Sequence, residues 1–146
     1  MNMSFMLTTE QIRNRTKTVT RRLGWKKLRP GTIITACEKC QGLKKGEKVK
    51  KICKIRVVDV RREMLMHMKD EDCQKEGFPQ MRRLDFIHMF SMEMRCPSSA
   101  IVTRIEFEYI DPIIDIDGGE DISEYEIYIQ EEGGNWIDAI TGQPDL

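Results

Sequence analysis

From Val49 to Arg62 apolar and polar residues alternate, and then the alternation slips. Cys53, Ile55 and Val57 alternate with Lys54 and Arg56; beyond them the apolar positions are Val58 and Val60, separated by Asp59. Strict alternation puts the apolar side chains on one face of a strand. A slip of one residue turns that face over unless a β-bulge absorbs the extra residue, here near Val57-Val58. Bulges bend strands, and bent strands build small barrels rather than flat sheets.

The rest of the chain fits around this strand. Thr8-Thr-Glu-Gln11 reads as a capping box opening a short helix to about Arg15. Arg29-Pro-Gly31 is a turn, and Thr32 to Cys37 a strand. Residues 41–48 form a basic loop. Asp70 to Lys75 and Arg83 to Met94 read as helices, the second with Leu84, Ile87 and Phe90 or Ser91 on one stripe. The many Met around them are read as gap-filling core. Ile101 to Tyr109 alternates cleanly, with Arg104, Glu106 and Glu108 on its polar face. The last part, around Gly133-Gly134, reads as an acidic hairpin.

Charge divides the chain in two. Of its 146 residues, all 24 Lys and Arg lie between Arg13 and Arg104. Residues 1–110 therefore carry +11, and residues 111–146, with 11 acids and no Lys or Arg, carry −11. A basic body attracts polyanions, nucleic acid first among them. The expected division is a domain over residues 1–110 and an acidic extension over 111–146 that covers the basic face or binds a partner protein. No apolar run reaches the roughly 18 residues of a membrane span, and no secretory signal is visible. The expectation is a soluble, cytoplasmic protein.

Five cysteines, an odd number, point to reduced thiols. Cys37 and Cys40 form one CxxC, but Cys53 and Cys73 lack the spacing of a second zinc knuckle. No metal is expected. His67 and His88 have no partner at a ligand spacing. With no Walker loop, GxGxxG or GxSxG, no cofactor is expected either.

Chemistry concentrates in Lys17-Thr-Val-Thr-Arg-Arg22. A hydroxyl nucleophile needs a base, and a lysine serves when neighbouring cations such as Arg21 and Arg22 lower its pKa. Lys17 and Thr20 would face opposite sides of a regular strand, so cooperation needs a bend between them. The alternative is a basic strand edge with Thr chosen for β-propensity. Trp25 either stacks on a base or anchors the core. Glu76 is either functional or a solvated acid before a Gly C-cap.

The ordered set Lys17-Thr-Val-Thr-Arg-Arg-Leu-Gly24, Leu28-Arg-Pro-Gly31, Arg56-Val-Val-Asp-Val60, Glu76-Gly-Phe78, Asp85-Phe-Ile-His-Met-Phe90 and Val102-Thr-Arg-Ile-Glu-Phe107 resembles ASCH domains, small barrels of the PUA-like superfamily. The likeness spans about residues 6–110, and Gly42-Leu-Lys-Lys-Gly-Glu47 resembles phage-encoded members. It implies an α/β (α+β) fold: a PUA-like mixed β-barrel with a helical insertion. The C-terminal acidic β-hairpin lies outside the match. It also implies a cleft for RNA or a modified nucleoside. Some bacterial members remove the acetyl group of N4-acetylcytidine with a Lys, a Thr three residues on, and a Glu in the insertion. By that resemblance Lys17, Thr20 and Glu76 are catalytic, with Thr20 as nucleophile and Lys17 as its base. Arg21, Arg22, Thr18, Trp25, Lys39, Lys44 and Lys45 would contact substrate or nucleic acid. Other members are described as ribonucleases or non-catalytic RNA binders, and those outcomes stay open.

Overall fold

The computed structural model describes residues 1–40 and 43–111. The expected acidic hairpin, like the rest of the expected extension from residue 112 on, lies outside the described residues. Five strands form one mixed sheet: β1 (Asn2–Ser4), β2 (Val19–Arg22), β3 (Ile33–Cys37), β4 (Lys51–Met64) and β5 (Ile101–Ile110), in the order β1-β3-β4-β5-β2. β1 pairs in parallel with β3, and the other pairings are antiparallel. The sequence reading had no strand at β1, which is too short to show a period.

β4 and β5 are the frame. Their register runs from Lys54↔Ile110 to Met64↔Ile101, with a shift between Val57 and Asp59. That is the expected bulge. Val58 points outward and exposed, so Ile55 and Val57 before it and Val60 after it all face the same core. β1 and β2 lie at opposite edges of the sheet, yet their residues meet. Phe5, just after β1, packs edge-on against Phe107 of β5 at 6.0 Å between ring centroids. The Arg22 guanidinium of β2 sits 4.7 Å from the Phe5 ring centroid. The sheet is therefore rolled into a small barrel whose edges meet through side chains. Met3, Phe5, Ile12, Trp25, Ile34, Ile55, Ile105 and Phe107 are among its buried contents.

The first helix, α1 (Thr9–Arg13), follows a single 3-10 turn. The expected capping box does not form: the Thr8 side chain makes no cap. Thr9 Oγ1 instead donates to the Phe5 carbonyl at 2.9 Å, the same carbonyl that accepts from the Thr8 amide at 3.0 Å in the 3-10 turn.

Residues 65–100 form the helical insertion between β4 and β5. α2 (Asp70–Lys75) has three acids in its first turn, matching the positive helix end. It stops at Gly77, whose φ of +99° favours glycine. α3 (Arg83–Met94) buries Phe86, Ile87, Phe90 and Met94. Leu84, expected on that stripe, is 66% exposed. The buried face is set by Phe86 and Phe90, which pack with Leu65, Met68, Cys73 and Val102 in a second core on the outside of the barrel. That second core also corrects the reading of β5. Its polar face is not solvated at this end: Val102 and Arg104 are both buried there, Arg104 to 4% exposure. Among the described residues no helix is long and apolar enough to cross a membrane.

Candidate functional site

β2 is only four residues long, and all four are buried. Alternation sends them to two places. Thr20 pairs with Ile105 and Arg22 with Thr103, so both point into the barrel, where Ile105 is core. Arg21 stands opposite Arg104 and points outward, beneath the insertion.

Lys17 reaches the site from the loop between α1 and β2. The Lys17 amide donates to the Gln11 carbonyl at 3.3 Å, and the Thr18 amide to the Lys75 carbonyl at 2.7 Å. Gln11 Nε2 donates to the Gly77 carbonyl at 3.3 Å. These bonds pin the end of α2 against the loop and bring Glu76 to Lys17. Both residues are 0% exposed. Lys17 Nζ donates to Glu76 Oε1 at 2.6 Å and to the Glu76 main-chain carbonyl at 2.8 Å. The solvated-acid reading of Glu76 is thereby overturned. A Cβ on Gly77 would lie 2.7 Å from Gln11 Cγ and 2.9 Å from Gln11 Cβ. Gly77→Ala is expected to cost about 1–3 kcal/mol and to loosen the Glu76 contact; chemical denaturation of the variant measures it.

Burial pushes the Lys17 amine down to about 8. Glu76 opposes the fall, and Arg22 and Arg21 add to it. The sequence reading named only the two arginines; the larger cause, desolvation, comes from the fold. A neutral amine keeps two N–H bonds and one lone pair. With two donor positions directed at Glu76, the lone pair of the neutral form is left facing away from that residue.

Arg21 holds the other side of Glu76. Its Nη1 donates to Glu76 Oε2 at 3.0 Å; its Nη2 donates to Glu63 Oε2 at 3.0 Å and to Asp72. Asp72 also accepts from Arg104 Nε at 3.1 Å and Nη2 at 3.3 Å. Burial alone would raise the Asp72 carboxyl, but Arg104 and Arg21 take it down to about 2. Sequence reasoning missed Asp72, Glu63 and Arg104. Asp72 looks like a helix-start acid, and the two strand residues look like solvent-facing positions.

Arg22 Nε donates to Thr20 Oγ1 at 3.1 Å. Burial lowers the Arg22 guanidinium to about 9, against the pull of Glu76. Thr18 is half-buried beside the loop. Trp25, 4% exposed, is in the barrel core, as its core-anchor reading has it. Lys39 is half-buried, while Lys44 and Lys45 are exposed in the loop before β4. The structure thus gathers Lys17, Thr20, Arg21, Arg22 and Glu76 around β2, places Trp25 in the same core as the Phe5 ring that Arg22 covers, and leaves Lys44 and Lys45 exposed in the loop before β4. Cys37 donates to the Thr35 carbonyl at 3.5 Å, and Cys40 follows beside it. Among the described residues no group of three His, Cys, Asp or Glu is disposed to hold a metal. An open groove of about 640 Å³ lies on the insertion, lined by Met66, His67, Arg83 and Leu84 among others; none of the candidate residues lines it.

Two solved structures are similar to this chain. One is an ASCH domain from Lactobacillus crispatus, at 15% identity and a TM-score of 0.50, covering 70% of each chain. The fold is that of an ASCH domain. The other is a DUF984 protein from Enterococcus faecalis, at 15% identity and a TM-score of 0.49, covering 70% of this chain and 69% of the other. No family model matches the sequence, and no curated protein does. At this identity the ASCH likeness is one of fold, and the chemistry has to be argued from the side chains themselves.

Proposed function

We propose that this ASCH-fold protein acts on modified nucleosides or nucleic acid, and that its site hydrolyses an acyl group from the exocyclic nitrogen of a cytidine. The observation that supports this most is the buried Lys17–Glu76 pair, with an amine pushed down to about 8, three residues before Thr20 in the sequence. A base is most effective when its pKa lies near the working pH. In the proposed reaction Thr20 Oγ1 attacks the acyl carbon and gives its proton to the Lys17 amine. Arg22, which donates to Thr20 Oγ1, stabilises the developing oxygen charge. Lys17 passes its proton to Glu76, and Glu76 delivers it to the leaving nitrogen. This releases cytidine and leaves an acyl ester on Thr20. Water then attacks the ester, restoring the threonine and releasing the carboxylic acid. The test is hydrolysis of N4-acetylcytidine by the purified protein, with Lys17→Ala as control. Turnover that disappears in the variant supports the reading; no turnover by the wild type ends it.

A second reading, non-catalytic RNA or host-factor binding by a phage protein, or a ribonuclease, is favoured by the exposed lysines 44, 45, 48, 50 and 51 around the start of β4. In this reading residues 111–146, a separate acidic unit, compete with RNA for the basic face or bind a partner protein. RNA affinity would then fall steeply with salt. Replacing Lys44 and Lys45 by Ala should flatten the log–log slope by about 0.7 per lost phosphate contact on single strands. A slope that does not change would remove these lysines from the interface.

A further inference from the structure

Behind the Lys17–Glu76 pair lies a second layer of charge that does not touch Lys17. Arg21 and Arg104 stand directly opposite each other across the β2–β5 ladder. Like charges in that position repel. One carboxylate, Asp72, joins them: Arg21 Nη2 donates to Oδ2, Arg104 Nε to Oδ2 and Arg104 Nη2 to Oδ1. Asp72 lies in the first turn of α2, and its carboxylate is at the same time the shared partner of the two arginines. We propose that Asp72 is a positioning residue for the Lys17–Glu76 pair, acting through Arg21.

The physical basis is charge sharing. Arg21 has three carboxylates around it: Glu76, Asp72 and Glu63. Because Asp72 and Glu63 hold one end of its guanidinium, Glu76 is not its sole counter-ion, and Glu76 Oε1 stays directed at Lys17. Removing the Asp72 charge leaves two facing arginines with one carboxylate fewer. Arg21 then draws on Glu76, and the excess positive charge makes Lys17 release its proton at lower pH. Removing the Arg104 charge does the reverse: Asp72 is left to Arg21 alone, and Lys17 keeps its proton to higher pH. The charged and titratable groups facing Lys17 are Glu76 from the end of α2, Arg21 and Arg22 from β2, and Tyr109 from β5. The Tyr109 hydroxyl donates to the Lys17 carbonyl at 2.6 Å.

The inference rests on the proposed function only in naming Lys17 the base, and its test does not use activity. The full chain is labelled with carbon-13 lysine, and the Lys17 Cε resonance, identified by its loss in Lys17→Met, is titrated. Asp72→Asn should lower the midpoint by roughly half to one pH unit and Arg104→Gln raise it by a similar amount. The double variant should return close to the wild type. Glu63→Gln, at a less buried carboxylate, should lower the midpoint by less, and it carries the test if Asp72→Asn does not fold. A merely structural role for Asp72 would not produce shifts of opposite sign. Midpoints that stay put, or move the same way in every variant, overturn the proposal. The shifts are read from whatever midpoint the wild type has. A wild-type lysine at an ordinary value near 10.5 would count against the base without deciding the role of Asp72.

Discussion

Arg21→Met is expected to cost about 3–5 kcal/mol of folding stability, the range for removing one partner from a buried ion-pair network. Arg21 is fully buried and its guanidinium donates to three carboxylates. Without it, Asp72 keeps only Arg104, and Glu76 keeps only Lys17. Two carboxylates in a water-poor interface then lose half their compensation. Urea denaturation of wild type and variant measures the loss. A loss under about 1 kcal/mol would mean that the network is solvated in practice and behaves as a surface pair. The same network sets an acid limit. The folded Asp72 carboxyl titrates at about 2, against 3.8 for the ordinary group. The folded state therefore binds this proton less readily than the unfolded one. The contribution, about 2 kcal/mol, is present above pH 3.8 and lost as pH falls through 2.

Lys17→Ala is expected to lower the rate of acyl hydrolysis by about 10²–10⁴-fold, the usual contribution of a positioned general base. Affinity for substrate should change far less. In the wild type the rate should rise with pH through a midpoint near 8, as the neutral amine forms, and level off above it. The variant should lack that step. Salt should matter little, because the reacting groups are buried rather than screened. Stability follows the same lysine with its own sign. The folded amine titrates at about 8 and the ordinary one at 10.5, so between these values the unfolded chain holds more of this proton. Stability should therefore climb as pH rises from 8 to 10.5, and Lys17→Met should not show the climb. A residual rate in Lys17→Ala equal to the wild type would remove Lys17 from the chemistry.

Much of the architecture was legible in the sequence. The bulge at Val57–Val58 follows from a one-residue slip of period, and the helix at Arg83–Met94 from its spacing and flanking turns. Period is a local property, so a single strand or helix reports it. The misses have the opposite character. β1 has three residues and no period to read. Leu84 shares a helical stripe with Ile87 but faces outward, because Phe86 and Phe90 decide which side of α3 meets the barrel. Arg104 alternates like a solvent-facing residue, yet the insertion covers that face.

The sequence by itself determined the order of the helices and of the strands β3, β4 and β5, the bent central strand and the concentration of Lys17, Thr20, Arg21 and Arg22 in one segment. Only the tertiary structure decided what those residues meet. Lys17 and Glu76 are 59 residues apart, Arg21 and Asp72 51 apart, and Asp72 and Arg104 32 apart. A cation in isolation reads as a solvated side chain, because water is its default partner. Burying it is tolerable only when carboxylates from distant elements arrive together, and no local pattern encodes that arrival.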